Sequence, residues 1–358
     1  MKRRALLLGA LLMPMAAHAQ TKKPKPGPKP KQKAPPKAAA AKPKPSAAKP
    51  PPSTPKPQAS TEPKTQLVAF NASAFPYRGT VPDTGKPFLD VQNGKRRGHT
   101  TLKGEVCWED ATYSDRRSLL YLPPGYNVQL PGLIVLYLHG QGATLERDVQ
   151  ARQGIPRQIA DSGQNVALVA PQLAYDAPDS SAGNFWKNGH FATYIDESAE
   201  RLMRLSGDGR AGAHFNASGV VIVSYSGGYV STAYALAQGG AVHRIKGVIL
   251  MDSLYGDEEK FAAWVAARRR FAFLLSAFTE STRQENANLQ GMLGKRRIPY
   301  TSGLPTTLTP GTSAFVPCGG LEMHGDFMTR AWGPDPLRQA LTMIPGYPQV
   351  ARAAKRNA

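Results

Sequence analysis

"VVIVSYSGGYVSTAYALAQGG", Val220 to Gly240, is the stretch on which the reading of this chain turns. A β-branched run meets a Ser-Tyr-Ser-Gly-Gly turn, and an alanine-rich helical pattern follows and stops at Gly239-Gly240. Strand, tight turn and helix in direct succession place two serines at the carboxyl end of a strand. A nucleophile elbow needs small residues two before and two after the reactive serine, because the backbone turns too sharply there for larger ones. Ser226 has Ser224 and Gly228 at those positions, whereas Ser224 has the β-branched Ile222 two residues before it. Ser226 is therefore the better nucleophile candidate, and Ser224 reads as a hinge residue.

The same kind of unit recurs along the chain. "GLIVLYLHGQGA" (Gly132 to Ala143) and "NVALVAPQ" (Asn165 to Gln172) are unbroken apolar runs, as expected of strands buried on both faces. "RRSLLYLPPGY" (Arg116 to Tyr126), "IKGVILMDS" (Ile245 to Ser253), "RFAFLLSAF" (Arg270 to Phe278) and "SAFVPCGG" (Ser313 to Gly320) add further strands. Helical patterns lie between them at residues 145–163, 194–209, 229–240 and 257–270. The last carries acids in its first turn and arginines in its last, as the helix dipole favours. Such alternation implies an α/β fold, a mostly parallel sheet with helices on both faces. In sheets of this kind functional groups collect beyond the carboxyl ends of the strands.

The amino-terminal part is different material. Met1 to Ala19 has a positive start (Lys2, Arg3, Arg4), a short apolar run and Ala17-His18-Ala19 before the break, the three parts of a bacterial-type signal peptide. A periplasmic or secreted location is the expectation. Residues 20–64 follow as a Lys/Pro/Ala-rich tether with fourteen of the chain's 32 prolines, twelve lysines and one acid, Glu62. It contains no aromatic residue, Leu, Ile or Val, so it has no means of burying a core and is expected to be disordered and extended. Of the formal net charge of +20, the signal carries +3 and the tether +11, which leaves +6 for residues 65–358. The basic character thus belongs to the tether, not to a nucleic-acid-binding surface, and no nucleic-acid partner is expected. Anionic polymers of the cell envelope or lipid headgroups, or simple spacing, are the readings for the tether.

About 290 residues remain for the folded part, enough for one large α/β domain or two small ones. Its two cysteines, Cys107 and Cys318, are either a disulfide or two separate buried thiols. No Cys/His cluster has metal-ligand spacing, so no metal is expected.

Chemistry-capable residues do fall at strand ends. His324, in "CGGLEMHGDFM", is the one histidine after the last strand and the candidate general base. His99 and His190 read as loop residues, His214 and His243 lie on the entry side of strands, and His139 in "HGQG" reads as a loop-shaping residue. Asp252 ends the strand "GVILMDS" and is the preferred acid, with Glu280 after the next strand as the alternative. Glu322 and Asp326 are too local to His324 to be favoured. The backbone N–H groups of Gly227 and Gln141 are the candidate oxyanion donors. Two segments, Ala174 to Phe191 and Lys295 to Thr312, are candidate pocket walls or flaps.

With these residues in place, the chain resembles the α/β-hydrolase superfamily over most of residues 100–350. The order nucleophile, acid, histidine is that superfamily's order. "RRSLLYLPPGYNVQLPGLIVLYLHGQGA" looks especially like exported esterases of the feruloyl esterase and polyhydroxybutyrate depolymerase type. The resemblance implies an α/β-hydrolase domain over residues 65–358 with an eight-stranded sheet. It also implies a Ser-His-acid triad, acyl-enzyme chemistry on an ester or amide, and no cofactor. Two other functions fit the sequence: a peptidoglycan-linked peptidase or amidase, and a non-catalytic envelope-binding protein on a hydrolase scaffold.

Overall fold

Six consecutive residues, Leu133 to Leu138, have essentially no solvent exposure, and the sheet is built outward from them. In the computed structural model of this protein the described residues are 27 and 60–347; the signal sequence, almost all of the tether and residues 348–358 lie outside them. From residue 60 onward the described chain belongs to one compact unit, Lys56–Ala358.

The strands are β1 (Lys64–Ala69), β2 (Val91–Asn93), β3 (Arg96–Thr100), β4 (Val106–Trp108), β5 (Arg117–Leu122) and β6 (Leu133–Leu138). They continue as β7 (Val166–Pro171), β8 (Gly219–Tyr225), β9 (Ile245–Met251), β10 (Phe273–Phe278), β11 (Thr301–Ser302) and β12 (Ser313–Pro317). The helices are α1 (Glu109–Thr112), α2 (Ile155–Ser162), α3 (His190–Ser206), α4 (Gly212–Ala217) and α5 (Tyr229–Gln238). After them come α6 (Glu258–Arg268), α7 (Arg283–Lys295), α8 (Phe327–Arg330) and α9 (Pro336–Thr342).

The main sheet has nine strands in the order β1-β5-β7-β6-β8-β9-β10-β12-β11. Everything from β7 to β11 is parallel, and β5 is antiparallel to both of its neighbours. The ninth strand, beyond the eight expected, is the two-residue edge β11, inside the segment read from sequence as a flap. A separate three-stranded antiparallel sheet, β2-β3-β4, lies in the connection between β1 and β5.

Unbroken apolar runs are explained by two cores. Along a strand successive side chains point to opposite faces. Ile134, Leu136, Val220 and Ile222 pack with Phe191 and Ile195 of α3, Ala233 of α5 and Phe261 of α6. The alternate residues Leu133, Val135, Val221 and Val223 pack on the other face with Ile155 and Ile159 of α2 and Leu337 and Leu341 of α9. Each fully buried aliphatic side chain contributes on the order of 2 kcal/mol of transfer free energy, so these central strands anchor the fold.

Two local features depart from the sequence reading. The pattern at residues 145–163 is two helices, a π-helix (Leu145–Arg152) and α2, divided at Gly154 with φ +57°. The folded unit also begins before residue 65: Lys64 opens β1, and the Gly125 N–H donates to Ser60 O at 2.6 Å.

The order places a reversal at β6, whose chain goes to β7 on one side while β8 lies on the other. A crevice opens beyond the carboxyl ends of β6 and β8 at such a point. The chain is tightest here. A Cβ placed on Gly228 would stand 2.3 Å from Leu138 O, a backbone atom with little room to give. Gly228→Ala is expected to destabilise the protein by about 1–3 kcal/mol. Gly291→Ala, on the open face of α7 with nothing within 4 Å, is expected to stabilise it by roughly 0.5–1 kcal/mol. Urea unfolding of both variants checks the pair.

Candidate active site

Ser226 follows β8 without a spacer and has φ +51°, a left-handed conformation that a side-chain-bearing residue adopts only when its surroundings hold it there. The Ser253 hydroxyl holds it, donating to Ser226 O at 2.7 Å and lying 3.1 Å from Ser224 Oγ. Ser224, where an elbow usually has glycine, points its hydroxyl into this buried contact and has no exposure. On the other side the loop after β6 comes close. A Cβ on Gly140 would stand 2.7 Å from Ser226 Cβ, so only glycine permits this approach.

His324 sits in the 3₁₀ turn Leu321–Asp326 that follows β12. Its Nε2 is 3.0 Å from Ser226 Oγ, and its Nδ1 is 2.6 Å from Asp252 Oδ2. The ring is stacked on Tyr225 at 5.3 Å between centroids and met edge-on by Tyr255 at 6.2 Å. The Tyr225 hydroxyl donates to His324 O at 2.6 Å, and Arg152 donates to Gly325 O at 3.0 Å, which together fix the turn.

Asp252 is fully buried at the end of β9, also with positive φ, +46°. Its backbone N–H donates to Ala277 O at 2.8 Å, tying the turn to β10. Oδ1 accepts from Thr279 N (2.9 Å) and Thr282 Oγ1 (2.7 Å). Oδ2 accepts from Thr279 Oγ1 (2.8 Å), Ser281 Oγ (2.9 Å) and His324 Nδ1. Burial alone would raise this carboxyl; hydrogen bonds from His324, the Thr279 N–H and the Thr282 and Thr279 hydroxyls outweigh it and hold it at about 2.

Glu280, the alternative acid, is turned away: it is exposed and paired with Arg283. Asp326 pairs with Arg330 at 3.0 Å. His139 is buried and neutral in its hydrogen bonding. Its Nδ1–H donates to Gly140 O at 2.8 Å, and Nε2 accepts from Leu173 N at 2.9 Å. Burial drives its basicity down to about 4, so it shapes the loop. His99 and His190 are not loop residues. His99 lies in β3, stacked on Phe88 at 4.3 Å, and His190 opens α3 with Nε2 3.0 Å from Ala72 O. Cys107 and Cys318 are separate buried thiols.

The Ser226 hydroxyl faces a cleft of about 750 Å³ shared with Gln141, Gly227 and His324. Gly227 lies in the 3₁₀ turn Ser226–Gly228 that runs into α5, where unpaired N–H groups and the helix dipole favour negative charge. Among the described residues the Gln141 N–H has no hydrogen-bond partner. Of the two segments read as walls, 174–191 supplies Pro178, Asp179, Ser180, Ser181 and Trp186. Residues 299–307 and 311–313 instead line a separate depression. The facing wall, including Asp83, Lys86, His99 and Leu102, comes from the connection between β1 and β5, which carried no sequence signal for it. Ser253, Tyr225 and the hydroxyls at 279–282 were also not singled out; isolated Ser, Thr and Tyr have no diagnostic spacing.

No protein-family model matches the chain, and no curated protein does. Solved structures similar to it include a feruloyl esterase module from Clostridium thermocellum, at 14% identity over 77% of this chain and 97% of that one, with a TM-score of 0.40. An S-formylglutathione hydrolase from Agrobacterium tumefaciens matches at 13% identity over 66% and 94%, TM-score 0.35. A poly(3-hydroxybutyrate) depolymerase from Bordetella parapertussis matches at 13% over 68% and 89%, TM-score 0.35.

The depressed Asp252 carboxyl links stability to pH. A carboxyl lowered from 3.8 to about 2 contributes stability that is present above pH 4 and lost as pH falls towards 2. The contribution is about 2 kcal/mol. Urea unfolding between pH 6 and pH 2 should show this acid-sensitive component in the natural protein, and Asp252→Asn should remove it.

Proposed function

We propose that this α/β-hydrolase-fold protein is a serine hydrolase that cleaves a carboxylic ester or amide through an acyl-enzyme. The observation that carries the reading is the continuous chain Ser226 Oγ, His324 Nε2, His324 Nδ1 and Asp252 Oδ2, at 3.0 and 2.6 Å. Such a chain activates a hydroxyl that is otherwise a weak nucleophile.

In this mechanism Asp252 stays ionised and fixes the tautomer with the proton on Nδ1, leaving the Nε2 lone pair for the serine proton. Ser226 Oγ attacks the acyl carbon, its proton moves to Nε2, and the carbonyl electron pair moves onto oxygen. The N–H groups of Gly227 and Gln141 stabilise that oxyanion. Collapse of the adduct expels the alcohol or amine, which takes the proton from Nε2. Water, deprotonated by the same nitrogen, then releases the acid. The cleft volume, about 750 Å³, falls in the range of small-molecule sites. Export to the periplasm or beyond is part of the proposal and rests on the Met1 to Ala19 pattern.

The decisive experiment is labelling with a fluorophosphonate probe together with hydrolysis of p-nitrophenyl butyrate. Ser226→Ala should abolish both while retaining a cooperative unfolding transition, and labelling that survives would refute the assignment. Asp252→Asn should lower kcat by about 10⁴-fold by favouring the wrong imidazole tautomer. Glu280→Gln should leave kcat unchanged within about two-fold, because its carboxylate does not reach His324.

A further inference from the structure

Ser180 lies on the turn between β7 and α3, and its hydroxyl sits against the backbone that would bind the oxyanion. A Cβ placed on Gly227 would stand 2.2 Å from Ser180 Oγ and 3.2 Å from Gln141 Cγ, so these two side chains cover one face of Gly227. The Gln141 side chain donates from Nε2 to Ser180 Oγ at 2.8 Å. That bond occupies an acceptor site on the oxygen and leaves the Ser180 hydrogen uncommitted; among the described residues it has no acceptor. Ser180 and Ser226 line the same cleft.

The turn that carries Ser180 is pinned from below. Asp179 is buried, and its Oδ1 accepts from Ser181 N at 3.2 Å and Ser181 Oγ at 3.0 Å. Its Oδ2 accepts from the fully buried Tyr113 hydroxyl at 2.9 Å. The segment is also tied to the loop after β6, where Gly142 N donates to Ala177 O at 2.8 Å. A hydroxyl held this way has its position set before substrate arrives, which is the condition under which a donor stabilises a developing charge most effectively.

We propose that the Ser180 hydroxyl is a third oxyanion donor, oriented by the Gln141 carboxamide and acting beside the Gly227 and Gln141 N–H groups. The inference rests on the reading of Ser226 as the acyl acceptor. When Ser226 Oγ bonds to the acyl carbon and its proton passes to His324, the electron pair displaced onto the carbonyl oxygen accepts a hydrogen bond from Ser180. Ser180 keeps its proton throughout. Gln141 therefore has two functions, its backbone N–H as a donor and its side chain as the positioning group for Ser180.

The test compares the full-length protein with Ser180→Ala and Gln141→Ala, using p-nitrophenyl butyrate and a boronic acid that forms a tetrahedral adduct on serine. Ser180→Ala is expected to lower kcat about 10²-fold, with KM held within about two-fold. Affinity for the boronic acid should fall in parallel, since the lost contact exists only with the tetrahedral species. Gln141→Ala, which keeps the backbone donor, should lower kcat less but in the same direction. An unchanged or raised kcat in Ser180→Ala, or a change confined to KM, overturns the assignment. Hydrolysis that survives Ser226→Ala overturns instead the reading beneath it, and the Ser180 proposal with it.

Discussion

A carboxylate with no solvent exposure is the constraint around which the candidate site is organised. Removing an ion from water costs several kcal/mol unless its lone pairs are met by donors. Asp252 meets that condition with five hydrogen bonds, four of them from the single turn Thr279 to Thr282. That turn follows β10, whereas Asp252 follows β9, so the network ties together the ends of two parallel strands. The fifth donor is His324. Its position is thus dictated by the need to complete the coordination of a buried anion, and its other nitrogen is left aimed at Ser226.

The sheet order supplies the rest of the geometry. Because the chain reverses its direction of spread at β6, the loop after β6 and the turn after β8 face each other with no helix between them. Small residues at Gly140 and Gly228 let these backbones approach to contact distance. Ser253 then bonds the carbonyl of Ser226 and holds it in a left-handed conformation that an isolated serine would leave. Strain at Ser226 and at Asp252 is carried by neighbours whose own polar groups are satisfied in the process.

How much of this was legible in the sequence follows from where apolar pattern is strong. The strands β6, β7 and β8 announce themselves because both faces are buried, so nearly every residue is apolar. β1 hides in the partly exposed KTQLVA, next to a lysine-rich stretch, and β2 to β4 are short and polar. Ser226, His324 and Asp252 could be singled out because strand ends are where such sheets place reactive groups. Nothing in the sequence distinguished Asp252 from Glu280 beyond adjacency to the strand. The difference lies in the turn at 279–282, which directs its hydroxyls at Asp252 while Glu280 faces solvent and Arg283. The Ser180 hydroxyl was legible only as a residue of a candidate pocket segment, since its significance depends on a contact across the fold with Gly227.

The wall of the cleft that faces Ser226 has its own origin. It is drawn from the chain between β1 and β5, which are adjacent antiparallel neighbours, so residues 70–116 leave the main sheet and return to it within one pairing. Their packing is largely aromatic: Phe75, Tyr77, Phe88 and Tyr113 pack on one another, and Trp186 contacts Tyr77 and Phe88. The elements that hold Ser226, His324 and Asp252 contain none of these residues; contacts to the excursion include the Tyr234 hydroxyl of α5 donating to Asp83 at 3.1 Å and the Tyr113 hydroxyl donating to Asp179 at 2.9 Å. The facing wall of the cleft and the strand ends that carry Ser226, His324 and Asp252 therefore come from separate stretches of polypeptide. That wall can be lengthened, recharged or exchanged by changes in one excursion of the chain, while the strand ends opposite it stay as they are.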